Sequence, residues 1–180
     1  MKVGTDMKDL KDYVVTIPDF PKPGIMFRDV TSVVQDPEGL RLAIDRMEEL
    51  LSDVEYDVVV GAESRGFIFG SAIAYKKGAG FVLARKPGKL PRETVSEEYD
   101  LEYGKAEIHI HKDAIKPGQR VVIIDDLIAT GGTCEAIIKL VEKLGGTVVR
   151  LAFLMELKGL NGREKLKGYD VVSAIEYEGA

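Results

Sequence analysis

Tryptophan is absent from this sequence, and cysteine and histidine are scarce. The 180 residues include one cysteine and two histidines. A single cysteine excludes an intrachain disulfide, and two histidines alone make a poor zinc site. His109 and His111 fall on one face of a predicted strand, where we interpret them as solvent-facing residues. We therefore expect no resident metal site.

Long apolar runs and an excess of basic residues are also missing. No segment is long and apolar enough to cross a bilayer, and the N-terminus lacks the basic-then-apolar pattern of a secretory signal. Asp and Glu outnumber Lys and Arg by 30 to 25, which gives a formal net charge of −5, whereas nucleic-acid binders are usually basic. We expect a cytoplasmic protein that binds neither membranes nor nucleic acid. Any anionic ligand must then meet a local cluster of positive charge.

The composition that remains is that of an ordinary globular domain. Hydrophobic residues make up 45% of the chain and charged residues 31%, which suits one domain with a single core. Apolar spacing predicts helices over 37–52 and 66–77 and strands over 58–60, 81–84, 106–110, 148–154 and 171–175. The alternation of strand and helix is typical of a parallel α/β sheet. Cys134 falls on an apolar helix face, where we expect it to pack in the core.

The most informative segment is a strand, a glycine-rich turn and a helix. Residues 121–124 are β-branched and typical of a strand buried on both faces, and apolar residues recur with helical spacing over 134–144. The strand ends in Asp125 and Asp126. After two apolar residues the turn itself follows, with Ala129, Thr130, Gly131, Gly132 and Thr133. Because ligands of open α/β sheets bind beyond the carboxyl ends of the strands, this turn is a candidate phosphate site.

Two adjacent carboxylates beside a phosphate site would repel the anion unless they bind something else. We expect Asp125 and Asp126 to accept hydrogen bonds from the 2′- and 3′-hydroxyls of a ribose while the amides of 129–133 hold its 5′-phosphate. The turn lacks the lysine of a Walker A loop, and the chain has no G-x-G-x-x-G fingerprint, so neither a nucleoside triphosphate nor NAD is favoured. The alternative is a solvated acidic turn. In both cases we take the strand end to face solvent.

A second strand-to-helix junction carries an arginine. Glu63, Ser64, Arg65 and Gly66 follow a predicted strand. A helix N-terminus offers N–H donors and a guanidinium adds a forked cation, so Ser64 and Arg65 are candidates for binding a leaving diphosphate. The alternative is a helix cap with a surface arginine.

Residues 85–103 form a long segment with proline and many charges but little hydrophobic periodicity. Arg85, Lys86 and Lys89 near its start supply positive charge, and we expect them to contact the diphosphate. Loops of this length inside a compact domain are usually functional or disordered. We therefore predict a mobile lid over the site, with a solvated charged loop as the alternative.

Together these motifs resemble the type I phosphoribosyltransferases. The segment Asp125-Asp-Leu-Ile-Ala-Thr-Gly-Gly-Thr133 is similar to the phosphoribosyl pyrophosphate signature of that family. The resemblance covers about residues 13–177, and its other carriers are Pro18-Asp-Phe-Pro21, Pro23-Gly-Ile-Met-Phe-Arg-Asp29, Glu63-Ser-Arg-Gly-Phe67, Arg85-Lys-Pro-Gly-Lys-Leu-Pro91 and Leu101-Glu-Tyr-Gly104. Such a set in the right order is more specific than any one member.

The resemblance implies a fold and an activity. The implied fold is an open, mainly parallel α/β sheet flanked by helices, in a single domain over 1–180 with an N-terminal hood over 1–35, a core over 36–177 and a mobile loop. The implied reaction transfers the 5-phosphoribosyl group from 5-phosphoribosyl 1-pyrophosphate to adenine, giving AMP and pyrophosphate. Mg²⁺ would bind mainly through the phosphoribosyl pyrophosphate. Members of the family are typically homodimers.

The resemblance also implies roles that local spacing does not reveal. Glu102 and Tyr103 correspond to the catalytic carboxylate and a neighbouring tyrosine. The positions that correspond to the base pocket are Met26, Phe27, Arg28 and Leu127. Ala129 stands where 6-oxopurine enzymes of the superfamily carry an aspartate, which favours a 6-aminopurine. Two alternatives remain: a superfamily enzyme for hypoxanthine, xanthine or orotate, and a regulator that senses the phosphoribosyl ligand while binding nucleic acid, for which the chain is too acidic.

Overall fold

Nine strands and four α-helices lie within the residues that the structure, a computed structural model, describes, which are 8–101 and 104–179. The strands are β1 (Val15–Pro18), β2 (Met26–Asp29), β3 (Val58–Ala62), β4 (Gly80–Ala84), β5 (Thr94–Asp100), β6 (Lys105–His111), β7 (Arg120–Ile128), β8 (Thr147–Leu157) and β9 (Val171–Tyr177). The α-helices are α1 (Thr31–Gln35), α2 (Pro37–Glu49), α3 (Gly66–Lys77) and α4 (Gly132–Lys143). Short 3₁₀ helices cover Leu10–Tyr13, Lys158–Leu160 and Gly162–Leu166.

Five of the strands form a parallel sheet at the centre of the molecule. They lie in the order β4, β3, β7, β8, β9, and every neighbouring pair is parallel. One apolar cluster joins the sheet to α4, and a second joins it to α2 and α3 on the other face. The predicted α/β fold with a mainly parallel sheet flanked by helices is confirmed.

The register of the sheet brings two loops together. Val58 pairs with Val121 and Gly61 pairs with Ile124, so β3 and β7 run side by side towards their carboxyl ends. The loop between β3 and α3 and the loop between β7 and α4 therefore open on the same edge of the sheet, where α/β proteins bind ligands.

Local signals set the limits of the helices. Asp36 begins α2 by accepting hydrogen bonds from two backbone N–H groups, both at 2.9 Å, and Pro37 occupies the first helical position. Gly78 ends α3 with a φ of 73°. The helix predicted over 66–77 is confirmed, and the one predicted over 37–52 ends before residue 50. None of the helices in the described ranges is long and apolar enough to cross a membrane.

Four strands lie outside the central sheet in two antiparallel pairs, β1 with β2 and β5 with β6. The expectation of a long irregular segment over 85–103 is wrong in its second half, because residues 94–100 form β5. Val95 and Tyr99 of this strand pack against the core, and that tertiary contact stabilises a strand whose remaining side chains are mostly polar. The strand predicted over 106–110 is confirmed, but it belongs to this hairpin and not to the parallel sheet.

Cys134 is buried near the start of α4. Its side chain belongs to the apolar cluster between α4 and the sheet, which confirms the predicted packing role. Burial raises the pKa of the thiol, so the reactive thiolate is disfavoured.

Candidate active site

Asp125 and Asp126 lie within β7 and not beyond its end. Pairing of β7 with β8 continues past them to Ile128, and only 5% of Asp126 is exposed. The expectation of a solvent-facing strand end is therefore wrong. Asp125 Oδ1 accepts a hydrogen bond from the Asp126 amide at 2.8 Å. Burial, with the neighbouring Asp126 charge, raises the pKa of Asp125 well above its usual range.

An ion pair between Arg65 and Asp126 joins the loop after β3 to strand β7. Arg65 Nε donates a hydrogen bond to Asp126 Oδ2, and this bond raises the pKa of the guanidinium. The Asp126 side chain is buried, whereas about half of the Arg65 side chain remains exposed. The arginine predicted for a diphosphate and the carboxylates predicted for a ribose therefore belong to one site.

Gly66 permits this close approach of α3 to β7. A Cβ at Gly66 would lie 2.8 Å from the Ile124 carbonyl oxygen and 3.0 Å from Asp125 Oδ1. Any side chain there would push the start of α3 away from the sheet. The Glu63–Ser64 peptide bond, in the loop before α3, is cis.

A cleft of about 200 Å³ opens between these elements. Its walls come from the loop after β3, from the segment after β4, from β7 with the start of α4, and from the β5–β6 hairpin. The lining residues are Glu63, Ser64, Arg65, Lys86, Tyr99, Ile108, Asp125, Asp126, Leu127 and Thr133. Predicted diphosphate, ribose and base residues therefore meet here. Tyr99 and Ile108 were not predicted, because no local motif marks a hairpin residue as part of this wall.

The glycine-rich loop (residues 129–133) leaves the N-terminal amides of α4 available. Gly131, with a φ of 82°, is the N-cap and, being a glycine, offers no side chain to cap the first N–H groups. The loop lines a cavity of about 90 Å³ together with Asp125 and Phe153. Uncapped N–H groups at a helix N-terminus suit a phosphate, so the geometry agrees with the predicted phosphate site.

Gly162 supports the glycine-rich loop from behind. A Cβ at Gly131 would lie 2.6 Å from the Gly162 carbonyl oxygen, and a Cβ at Gly162 would lie 2.8 Å from Ile128 Cγ1. Two glycines therefore let the 3₁₀ helix Gly162–Leu166 pack directly against the loop. Sequence reasoning missed Gly162, since neither periodicity nor a motif marks a contact between such distant segments.

Glu63 binds the first two residues of the segment 85–103, Arg85 and Lys86. Arg85 Nη2 lies 3.1 Å from Glu63 Oε1, and the Lys86 amide donates to Glu63 Oε2 at 2.8 Å. Burial pushes the pKa of Glu63 up, but the bonds from Lys86 and Arg85 outweigh it, and the net shift is downward. Of the three predicted basic residues, Lys86 lines the cleft and Arg85 is paired with Glu63. Lys89 is not among the residues that line the cleft in the described part of the chain.

A family model described as the phosphoribosyl transferase domain matches residues 29–179. The chain belongs to the phosphoribosyltransferase family. It is 65% identical over 173 residues to an adenine phosphoribosyltransferase from Lachnoclostridium phytofermentans, an alignment that covers 96% of this chain and 99% of that protein. The resemblance inferred from the motifs is confirmed.

Solved structures of adenine phosphoribosyltransferases share the fold. The Thermoanaerobacter pseudethanolicus structure aligns with a TM-score of 0.90 and 52% identity, covering 93% of this chain and 98% of that one. The Saccharomyces cerevisiae structure, complexed with D-2,5-dideoxy-2,5-imino-altritol 1,6-bisphosphate and adenine, aligns with a TM-score of 0.86 and 41% identity, covering 92% and 96%.

The predicted base residues of the family lie on the N-terminal hairpin and on β7. The Arg28 guanidinium lies 4.2 Å from the centre of the Tyr177 ring, and the Phe27 ring meets Phe20 edge to face at 5.1 Å. Met26 is 41% exposed. Only Leu127 of the predicted set lines the cleft in the described ranges. The pKa of Arg65 is raised chiefly by the hydrogen bond to Asp126, with smaller contributions from the charges of Asp125 and of Asp29 at the end of β2.

Glu102 and Tyr103, the predicted catalytic pair, lie outside the residues that the structure describes. The strand before them, β5, contributes Tyr99 to the cleft. Their roles stay predictions.

His109 is more enclosed than expected. Its side chain is 18% exposed, with Nδ1 2.9 Å from Thr94 Oγ1 and Nε2 3.2 Å from Glu107 Oε1. The interpretation as a solvent-facing residue is therefore wrong for His109, because its ring contacts Thr94 of β5 and Glu107 of β6. Across the described ranges, no three His, Cys, Asp or Glu residues are placed to hold a metal ion.

Proposed function

We propose that this protein transfers the 5-phosphoribosyl group from 5-phosphoribosyl 1-pyrophosphate to adenine, giving AMP and pyrophosphate in purine salvage. One observation carries the proposal: the Arg65–Asp126 ion pair joins the loop after β3 to β7, the strand that leads into the glycine-rich loop, and both of its residues line one cleft. The 65% identity to an adenine phosphoribosyltransferase supports the choice of substrates.

The glycine-rich loop and β7 hold the phosphoribosyl group in this proposal. The uncapped amides at the start of α4 bind the 5′-phosphate, with Thr130 and Thr133 offering hydroxyls. Asp125 and Asp126 line the adjoining cleft together with Thr133, where their oxygens accept hydrogen bonds from ribose hydroxyls. The sugar is thereby fixed at both ends, which lowers the entropic cost of the reaction.

The opposite wall holds the diphosphate. Ser64, Arg65 and Lys86 line it and offer a hydroxyl, a guanidinium and an ammonium to the leaving group. Glu63 and Asp126 are already engaged by arginines, so Mg²⁺ would enter mainly on the diphosphate itself, as this ion commonly does. When bound, it offsets negative charge on the pyrophosphate.

The chemical step exchanges two bonds at C1′ of the ribose. The bond from C1′ to the pyrophosphate oxygen breaks, and the pair of electrons leaves with pyrophosphate, while adenine N9 bonds to C1′. The N9 proton passes to the Glu102 carboxylate acting as general base, and the family resemblance assigns Tyr103 to the same catalytic pair. Positive charge grows on the ribose as the first bond lengthens, and carboxylates nearby stabilise it.

The base pocket combines β2 with Leu127. We propose that backbone atoms near Met26 and Arg28 bind the edge of adenine, while Phe27 and Leu127 cover its ring. Ala129 has no carboxylate, whereas 6-oxopurine enzymes of the superfamily carry an aspartate at this position. These features favour adenine over hypoxanthine and guanine.

A comparison of bases tests the activity. The purified protein, with phosphoribosyl pyrophosphate and Mg²⁺, should consume adenine and release AMP, and it should prefer adenine to hypoxanthine, guanine, xanthine and orotate by a wide margin. Equal or faster turnover with any of the other bases would reject the proposed substrate.

A comparison of three Glu→Gln variants tests whether Glu102 is the general base. Glu102→Gln should lower kcat by about 10²- to 10⁴-fold, which is the usual contribution of a proton-transfer group, with a modest change in phosphoribosyl pyrophosphate affinity. Glu97→Gln and Glu98→Gln are matched controls, because both side chains already face lysines, Lys139 and Lys105. Near-normal turnover of the first variant would exclude the assigned role.

We also propose that the segment 86–103 closes over the site when substrates bind. Lys86 and Tyr99 already line the cleft, and closure would exclude water that could hydrolyse the activated sugar. Limited proteolysis should cleave this segment more slowly in the presence of phosphoribosyl pyrophosphate. Cleavage that is indifferent to substrates contradicts the lid.

We propose a cytoplasmic homodimer that uses the face formed by α3 and the edge strand β4. Three large apolar side chains are exposed there: Ile68 at 39%, Tyr75 at 88% and Leu83 at 37%. Ile68 and Tyr75 are seven residues apart and share one face of α3, and exposed apolar surface commonly marks an interface. Sedimentation should give twice the mass of one chain, and Tyr75→Glu should shift the protein towards monomer; a wild-type monomer would refute the dimer.

A further inference from the structure

The glycine-rich loop supplies amides to a phosphate but no positive side chain. Residues 129–133 are all uncharged, and two carboxylates, Asp125 and Asp126, precede them on β7. A phosphate monoester carries a charge of about −1.5 to −2 at neutral pH. The cations on the opposite wall do not solve this problem, because Arg65 and Lys86 are assigned to the diphosphate and are not among the residues that line the cavity at the glycine-rich loop.

Lys165 brings an ammonium group to the start of α4. A Cβ at Gly132, the first residue of the helix, would lie 3.8 Å from Lys165 Nζ. The same point would lie 3.6 Å from the Asp100 carbonyl oxygen. The ammonium therefore lies next to the N-terminus of α4, where the phosphate is proposed to bind.

The backbone that carries Lys165 is fixed relative to the loop. Gly162 contacts the loop without an intervening side chain, and Leu166 is buried in the core. Between them, Arg163 donates to both carboxylate oxygens of buried Glu156, with Nε–Oε1 at 2.8 Å. This clamp keeps the 3₁₀ helix beside the glycine-rich loop.

The charge of Lys165 is available, unlike that of its neighbours. Arg163 is paired with Glu156, and Lys167 is paired with Glu164 at 2.6 Å. Lys165 makes no ion pair and no side-chain hydrogen bond to any residue in the described ranges. We infer that Lys165 binds the 5′-phosphate and supplies the cation that the glycine-rich loop lacks; this inference rests on the proposed function.

Calorimetry with two separate probes tests the inference. Ribose 5-phosphate carries the 5′-phosphate without a diphosphate, and pyrophosphate carries the leaving group alone. Lys165→Gln should weaken ribose 5-phosphate binding by about 10-fold, as expected for a charge-assisted hydrogen bond, and change pyrophosphate binding by less than about 2-fold. Lys165→Arg should restore most of the affinity, and Lys167→Gln is the matched control for the loss of one charge on the same segment.

Kinetics separate this role from a structural one. Lys165→Gln should raise KM for phosphoribosyl pyrophosphate with little change in kcat, and its unfolding midpoint should match the wild type because the side chain is exposed. Unchanged ribose 5-phosphate affinity in an active protein would overturn the inference and leave the proposed function standing. Equal weakening of both probes would also overturn it. A wild-type protein that neither makes AMP nor binds ribose 5-phosphate would reject the proposed function and the inference with it.

Discussion

Gly162→Ala is the most demanding test of the way the site is assembled. A Cβ at this position would lie 2.8 Å from Ile128 Cγ1, whereas ordinary contacts begin at 3.4 Å, and it would meet the Ala129 carbonyl oxygen still more closely. To remove this overlap, the 3₁₀ helix and the glycine-rich loop must move apart by at least about 0.6 Å, the difference between 3.4 and 2.8 Å. A misplacement near 1 Å in a reacting geometry can cost about 10²-fold in rate.

The assay compares kcat/KM for phosphoribosyl pyrophosphate with the free energy of unfolding. We expect Gly162→Ala to lower kcat/KM by about 10- to 100-fold and to destabilise the fold by about 1–3 kcal/mol, as overpacking usually does. Gly80→Ala is the matched control, because a Cβ there would meet nothing within 4 Å and Gly80 has no positive φ. Normal kinetics in a folded Gly162→Ala protein would refute the idea that this glycine positions the loop.

Three further predictions concern single side chains. Asp126→Asn should weaken phosphoribosyl pyrophosphate binding and lower the free energy of unfolding by about 1–2 kcal/mol, less than a fully buried pair because Arg65 is half exposed; unchanged calorimetric affinity would contradict this. Arg120 lowers the pKa of Asp57 from 3.8 to about 2, so the stabilisation from Asp57 is complete above pH 3.8 and is lost as the pH falls to about 2. In Asp57→Asn, the urea midpoint of unfolding should depend less on pH over that range than in the wild type. An equal pH dependence in the two proteins would argue against the Asp57–Arg120 pair. Cys134 should react with a maleimide at pH 7 only after unfolding, so rapid labelling of the native protein would be inconsistent with its burial.

Short-range patterns in the sequence were sufficient for the central elements. The β-branched run 121–124, the glycine-rich loop and the apolar spacing after it predicted β7 and α4, because each pattern follows the geometry of its own element. Asp36 with Pro37 predicted the start of α2 for the same local reason. The family motifs added the substrates and the base residues.

The limits of these patterns are visible in β5 and in β7. Residues 94–100 carry mostly polar side chains, and they form a strand because Val95 and Tyr99 find apolar partners across the fold. The strand β7 continues beyond the predicted end because β8 extends alongside it. Tertiary pairing overrides local preference in both places.

The sequence by itself determined the strands and helices of the central sheet layer and the positions of the two strand-to-helix loops to which we assign substrate binding. Only the tertiary structure decided that Arg65 pairs with Asp126. It also decided that Gly162 packs against the glycine-rich loop and that the Lys165 ammonium lies near Gly132. The physical reason is distance along the chain. Periodicity and turn chemistry act over a few residues, whereas these contacts depend on how separate elements pack, and no repeating pattern encodes that packing.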